Sequence, residues 1–129
     1  METTWITDIT AGIVTGCQRV QSLWGGYGEL MRLTLKGARC PSVILKVISP
    51  PKLEVVSFSH KRKLRSYEIE QSWYRSWSQK LDPTRCRVPR LLGSVNDRRA
   101  QRILLEDLVP AGFPHCHGEI RGCLTWLAN

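Results

Sequence analysis

The chain has 129 residues, of which 42% are hydrophobic, and its 19 Lys and Arg against 11 Asp and Glu give a formal net charge of +8. This length and composition exclude a disordered or fibrous chain and indicate about one domain with a sizeable core. No apolar run approaches the length of a membrane span, and residues 1–4 lack the basic start of a signal peptide, so a cytoplasmic protein with no membrane partner is expected.

The first segment predicts a short helix followed by two strands. Thr3 or Thr4 is suited to cap a helix that ends at Gly12 and packs outside the sheet. Residues 13–23 are rich in β-branched side chains, and residues 30–36 alternate apolar and polar side chains, which is the pattern of two antiparallel strands.

The two strands are joined by the glycine-rich turn Leu23-Trp24-Gly25-Gly26-Tyr27-Gly28-Glu29-Leu30. Glycine permits positive φ and lets the backbone approach a ligand closely, so such a turn can cover phosphate groups with its N–H groups. An ordinary turn between two strands is the alternative, and the pattern gains weight only from Lys46, which follows it.

The third predicted strand, residues 42–48, places a lysine on an apolar face. Side chains alternate along a strand, so Lys46 shares its face with Ile44 and Ile48. An ammonium group buried there needs an anion, because leaving it unpaired costs several kcal/mol. Alternatively, Lys46 lies on an edge strand and its ammonium group reaches water.

Residues 60–81 predict a long helix in one or two pieces, with Ser59 as its N-cap. One face carries an acidic residue followed by apolar residues at helical spacing, namely Glu70, Trp73, Tyr74, Trp77 and Leu81. The spacing therefore predicts that Trp73 and Trp77 face the core.

Glu70 is the acidic residue predicted to point inward, and Lys46 is the inward basic residue available to meet it. A surface pair of Glu70 with Arg62 or Lys63 is the alternative, and such pairs contribute little. Glu68 falls on a face shared with charged residues and is predicted to be exposed.

After the helix, the sequence predicts a second hairpin and a linker. Residues 87–95 and 101–105 have the pattern of strands, with a turn at residues 96–99. Residues 109–114 are a linker by composition, and residues 119–129 begin an amphipathic helix. The predicted fold class is α+β: a five-stranded antiparallel sheet with one long helical segment packed on it, followed by a linker and the start of another helix.

The distribution of basic residues and of cysteines indicates which ligands the chain can bind. Residues 60–102 contain twelve Lys or Arg against four Asp or Glu, a block that can bind phosphates or can be the solvated face of a helix with a basic loop. The five cysteines, with no C-x-x-C pair, indicate reduced thiols. His115-Cys116-His117 with Cys123 lacks a second ligand pair at zinc spacing, so no metal site is expected there.

In order and spacing, these features resemble the N-terminal lobe of the protein-kinase-like fold. The similarity is to the aminoglycoside phosphotransferase and choline kinase group, most closely to its ecdysteroid-kinase-like (CHK kinase-like) branch. It covers about residues 13–129 and is carried by the glycine-rich turn, Val43-Ile44-Leu45-Lys46, Arg65-Ser66-Tyr67-Glu68-Ile69-Glu70, Leu104-Leu105-Glu106-Asp107-Leu108 and Ala111-Gly112-Phe113-Pro114. It implies an N-terminal helix or arm at residues 1–12, a nucleotide-binding lobe at 13–108, and a hinge linker with the truncated first helix of a C-terminal lobe at 109–129.

The resemblance implies a site for ATP and magnesium. Its cofactor-binding positions fall on Gly25, Gly26, Gly28, Lys46, Glu70, Glu106 and Leu108. The glycines and Lys46 would contact the phosphates, Glu70 would orient Lys46, and the backbone of residues 106–108 would bind adenine. No glycine stands at Met31 or Arg32, which is a departure from the G-x-G-x-x-G pattern.

The resemblance places the catalytic machinery in a large lobe. A kinase-like enzyme needs a catalytic Asp, a metal-binding Asn and a magnesium-binding Asp from that lobe, and the chain is expected to end before them. His117-Gly118-Glu119 has Glu in place of the catalytic Asp and is expected to be linker. The chain alone is therefore expected to be inactive, whereas the full-length protein would contact its C-terminal lobe and transfer the γ-phosphate of Mg-ATP to a hydroxyl group of a small molecule.

Two alternatives stay open. The first is a small basic module that binds nucleic acid or an acidic protein through the helix and residues 85–102. Nucleic acid is disfavoured as a partner, because stacking needs exposed aromatic rings and Trp73 and Trp77 are predicted to face the core. The second is a kinase-derived protein that has lost catalysis and serves as an interaction subunit.

Overall fold

The computed structural model describes residues 3–52, 57–82 and 84–109, which form an α+β fold with a five-stranded antiparallel sheet. The strands are β1 (Ile13–Ser22), β2 (Gly28–Lys36), β3 (Ser42–Ile48), β4 (Leu91–Asn96) and β5 (Gln101–Glu106), and the helices are α1 (Thr4–Thr10) and α2 (Phe58–Ser72). The strands lie in the order β1-β2-β3-β5-β4, with every neighbouring pair antiparallel. The predicted fold class is confirmed at this level.

One face of the sheet is covered by α1. Strand alternation places a set of apolar side chains on this face, and Ile6 of α1 is buried among them together with Met31, Leu33, Leu35, Val43, Leu45 and Leu104. Helix α1 follows Thr3, whose side chain makes no capping bond, and ends at Thr10 with Ala11 in the left-handed conformation. The predicted end at Gly12 is therefore two residues late.

The opposite face of the sheet is covered by α2. Here the buried side chains of β3 and β5 are Ile48, Ile103 and Leu105, and Tyr67 and Tyr74 pack against them from the helical segment. Helix α2 begins at Phe58, two residues earlier than predicted, and its N-cap is Ser57 rather than Ser59, because the Ser57 side chain accepts a hydrogen bond from the His60 N–H.

The end of the helical segment departs from the predicted face. A π-helical turn spans Trp73–Trp77, in which the Ser78 N–H donates to the Trp73 carbonyl, and a 3₁₀ turn follows at Ser78–Lys80. A π turn replaces the i→i+4 repeat by i→i+5 and so rotates later side chains off the 3.6-residue stripe. Trp77 is 62% exposed, so the prediction that it faces the core is wrong.

Strand β4 starts at Leu91, not at Arg87 as predicted. Residues 86–90 have no regular secondary structure and do not belong to the sheet. Pro89, which has no N–H to donate to a strand ladder, lies among them. The predicted linker and helix span residues 109–129, of which the structure describes only Val109. His115, Cys116 and Cys123 therefore lie outside the described residues. Within the described ranges, Cys17 and Cys40 are free thiols, and no helix is long and apolar enough to cross a membrane.

Candidate functional site

The centre of the candidate site is an ion pair between Lys46 of β3 and Glu70 of α2. Lys46 Nζ lies 2.8 Å from Glu70 Oε1 and 2.6 Å from Oε2. The side chains of Lys46 and Glu70 are 13% and 32% exposed, respectively, so the pair is partly withdrawn from water but still in contact with it. An ammonium group has three donors, and this carboxylate uses two of them, so Lys46 keeps one donor for a further anion.

Two tyrosines border this pair. Lys46 Nζ lies 5.4 Å from the centre of the Tyr67 ring, within the range of a cation–π contact. Burial, and after it the Glu70 carboxylate, raises the pKa of Tyr67 and of Tyr74 above its ordinary value of 10.0. Both hydroxyl groups therefore stay neutral near pH 7 and add no negative charge that competes for Lys46.

The glycine-rich turn lies at the end of β2 nearest to Lys46. Gly25 and Gly26 have φ values of 69° and 73°, and a Cβ added at Gly26 would meet nothing within 4 Å. Gly28 has a φ of 150°, and a Cβ there would lie 1.9 Å from the Val47 carbonyl oxygen. Gly28 is therefore needed for the contact of the turn with β3, whereas Gly25 and Gly26 are exposed and can approach a ligand.

Tyr27 anchors the turn to α2. Its side chain is buried, and its hydroxyl group is hydrogen-bonded to Nδ1 of the buried His60. The Tyr27 ring also lies 6.1 Å from the Tyr67 ring and 4.7 Å from Lys63 Nζ, measured from ring centres. No contact among Tyr27, His60 and Lys63 was predicted, because nothing in their local spacing indicates that the start of α2 meets the turn.

The segment after β5 is held by Asp107, whose side chain is 2% exposed. It accepts hydrogen bonds from Arg32 Nε at 2.6 Å, from Ser42 Oγ at 2.8 Å and from the Val109 N–H at 3.2 Å. Burial raises the pKa of the Asp107 carboxyl, but these hydrogen bonds outweigh it, and the net pKa lies below its usual value of 3.8. As a charged group, Asp107 thus ties residues 107–109 to β2 and β3, a role that was not predicted.

Glu106, at the end of β5, is held by hydrogen bonds to Arg87 and Arg90. Its carboxylate accepts hydrogen bonds from Arg87 and from the Arg90 N–H, and its own N–H donates to the Arg90 carbonyl. The predicted role of Glu106 and Leu108 was to bind adenine through their backbone groups. The Glu106 side chain is not needed for that role and forms hydrogen bonds with Arg87 and Arg90 instead. Leu108 is half-buried beside it.

The predicted site residues of the turn and of the segment after β5 lie at different positions along β3, the strand that carries Lys46. Leu30, two residues after Gly28, lies opposite Lys46, and Glu106 lies opposite Val43. At about 3.3 Å per residue, the turn is displaced roughly 7 Å and Glu106 roughly 10 Å from Lys46 in opposite directions along β3. The structure thus brings Lys46 and Glu70 into contact and places the turn and the segment after β5 on either side of them.

An open apolar groove of about 560 Å³ adjoins Glu70. It lies between the helical segment and residues 86–89, and its lining includes Ile69, Trp73, Tyr74, Val88 and Pro89. Among the described residues, no group of three or more His, Cys, Asp and Glu could hold a metal ion. No protein-family model, curated protein or solved structure matches the chain.

Proposed function

We propose that residues 13–108 form the ATP-binding small lobe of a kinase-like phosphotransferase of the aminoglycoside phosphotransferase and choline kinase group, which acts on a hydroxyl group of a small molecule. The observation that carries the proposal is the contact of Lys46 with both carboxylate oxygens of Glu70. In protein kinases, a lysine on the third strand pairs with a glutamate of the following helix, and this pair positions the lysine for phosphate.

The arrangement along β3 supports the same proposal. The exposed glycines lie toward one end of the strand, Lys46 in the middle, and residues 106–108 toward the other end. A nucleoside triphosphate is an elongated molecule with phosphates at one end and an apolar base at the other. The turn and Lys46 would hold the phosphates, and the backbone of residues 106–108, fixed by Asp107, would bind the adenine edge.

Magnesium and the transfer step are assigned to a second lobe. The described residues offer no cluster of metal ligands, so the proposed magnesium ligands and catalytic base would come from elsewhere in the protein. The apolar groove beside Glu70 supports a contact with such a lobe, because apolar surface of this kind is normally covered. Lys46 and Glu70 contribute charge and position to the phosphates rather than covalent chemistry.

The proposal is tested by titrating Mg-ATP into the wild-type chain and into Lys46→Ala. Loss of one charge-assisted contact of about 1.5–3 kcal/mol corresponds to a dissociation constant that rises roughly 10- to 150-fold. Lys36→Ala is the matched control, because Lys36 is an exposed lysine on the adjacent strand, and we expect it to change the affinity less than about twofold. Equal affinities for all three proteins would contradict the proposal.

A second candidate function is favoured by the exposure of two aromatic rings. Trp77 lies under Lys80, with Nζ 4.5 Å from its ring, and the exposed Phe58 lies near the Arg62 guanidinium. Exposed rings beside cations are the features that bind single-stranded nucleic acid. Nucleic acid was disfavoured as a partner because Trp77 was predicted to be buried, whereas it is exposed. Binding of a single-stranded oligonucleotide that falls steeply with salt and is abolished by Trp77→Ala would support this candidate over the first.

A further inference from the structure

Lys63 brings a second ammonium group to the glycine-rich turn. It reaches the turn from the second turn of α2, and its Nζ lies 3.2 Å from the position that a Cβ on Gly25 would occupy. The same atom lies 4.7 Å from the centre of the Tyr27 ring. Lys63 is half-buried, whereas the preceding residues Lys61 and Arg62 are exposed, so its side chain is directed toward the turn.

Among the described residues, no carboxylate forms an ion pair with Lys63. The ion pairs among the described residues use Arg32, Lys46, Arg65, Arg87 and Arg102 as their cations, and none includes Lys63. Lys46, by contrast, is held by Glu70. The turn therefore combines a cation that has no ion-pair partner in the described part of the chain with the exposed backbone of Gly25 and Gly26, which is an arrangement suited to an anion.

Aromatic rings connect Lys63 to the central ion pair. The Tyr27 ring packs beside the Tyr67 ring, and the Lys46 ammonium group lies over the same Tyr67 ring. The Tyr27 hydroxyl group is hydrogen-bonded to His60 of α2, and a Cβ at the neighbouring Gly26 would find no atom within 4 Å. Two cations thus border the same row of rings, one beside the turn and one beside Glu70.

We propose that Lys63 is a second phosphate-binding residue, which contacts the terminal phosphates of a nucleoside triphosphate at the turn while Lys46 contacts the inner ones. This inference rests on the proposed function and deepens it, because it makes the site selective for a polyphosphate over a nucleoside. A lysine from α2 then provides positive charge at a turn that has no glycine at Met31 or Arg32.

The test compares the affinity of the chain for Mg-ATP and for adenosine in the wild type, Lys63→Met, Lys63→Arg and Lys61→Met. Methionine keeps an apolar stem against Tyr27 and removes the charge, so the variant can fold; a chemical denaturation curve checks this. We expect Lys63→Met to raise the dissociation constant for ATP about tenfold and that for adenosine less than twofold. Lys63→Arg restores most of the ATP affinity, and Lys61→Met, the control of equal charge change, behaves as the wild type.

Two results would overturn the inference alone: ATP affinity that Lys63→Met leaves within twofold of the wild type, or equal losses for ATP and adenosine, which indicate a structural role beside Tyr27. In both cases the wild type still binds ATP and Lys46→Ala still weakens it. If the wild type binds no ATP, or if Lys46→Ala has no effect, the proposed function fails and the inference fails with it.

Discussion

Lys46 is joined twice to Glu70, by hydrogen bonds of 2.8 and 2.6 Å from one ammonium group to the two oxygens of one carboxylate. This contact links β3, the middle strand of the sheet, to α2, which also contacts the sheet through Tyr67 and through two amide hydrogen bonds between Gln71 and Asn96. The position of the helix and the direction of Lys46 therefore depend on each other.

Replacing Glu70 should weaken the attachment of α2 to the sheet and leave Lys46 less well oriented. Glu70→Gln keeps the size of the side chain and removes its charge, so we expect the free energy of unfolding to fall by about 1 kcal/mol, a modest value because Glu70 is partly solvated. We also expect Mg-ATP affinity to fall about fivefold, since Lys46 loses the group that directs it. Glu68→Gln is the control: Glu68 is exposed and pairs with Arg65, and denaturant titration should show a change below about 0.5 kcal/mol. Equal effects of the two variants would contradict this account.

Asp107 should matter more for stability than any exposed carboxylate. Asp107→Asn replaces one carboxylate oxygen by an NH₂ group, which cannot accept the hydrogen bonds that Arg32, Ser42 and Val109 donate, and it removes the negative charge that pairs with Arg32. We therefore expect the free energy of unfolding to fall by about 2–4 kcal/mol. Asp8→Asn, on the exposed surface of α1, should change it by less than about 0.5 kcal/mol. A loss for Asp107→Asn as small as that for Asp8→Asn would show that the network does not hold the segment after β5.

The same carboxylate predicts a pH dependence. The pKa of Asp107 is lower in the folded chain than its usual value of 3.8, so the unfolded chain binds more protons in this range. The stability that Asp107 contributes is complete above about pH 5 and is lost as the pH falls through its folded pKa.

We therefore expect the difference in unfolding free energy between the wild type and Asp107→Asn to shrink from pH 6 to pH 2. Asp97, whose pKa is lowered to about 2 by hydrogen bonds from Arg102 and from the N–H groups of Arg99 and Ala100, titrates in both proteins and cancels in the comparison. A difference that stays constant over this range would contradict the assignment of a charged, hydrogen-bonded Asp107.

The two kinds of glycine in the turn should respond differently to alanine. Gly28→Ala places a Cβ 1.9 Å from the Val47 carbonyl oxygen, a backbone atom that cannot move aside, and we expect a loss of about 3 kcal/mol or more. Gly26→Ala meets no atom but adopts a positive φ, which costs about 1–2 kcal/mol. Circular dichroism with denaturant measures both, and a smaller loss at Gly28 than at Gly26 would contradict the described packing of the turn on β3.

Much of the sheet and the central pair could be predicted because the signals are local or periodic. Alternation along residues 42–48 places Lys46 on the face that α2 covers, and helical spacing separates the inward Glu70 from the exposed Glu68. Both patterns follow from fixed backbone repeats. The exposure of Trp77 was missed because one π turn breaks the repeat on which the prediction depended.

The contacts that fix the turn and the segment after β5 could not be predicted from such repeats. Asp107 and Arg32 are 75 residues apart, and Tyr27 and His60 are 33 apart, so each contact exists only once the sheet and α2 have assembled. A buried polar pair also has no periodic signature, since any donor and acceptor of suitable geometry can form it.

The central claim is that one nucleotide lies along β3, and amide chemical shifts measured during a Mg-ATP titration test it most directly. We predict shift changes at Gly25, Gly26 and Lys46 and at residues 106–108, with little change at Trp77 and Lys80. Changes confined to Trp77, Lys80 and the basic residues of the β4–β5 turn, or no changes at all, would contradict it.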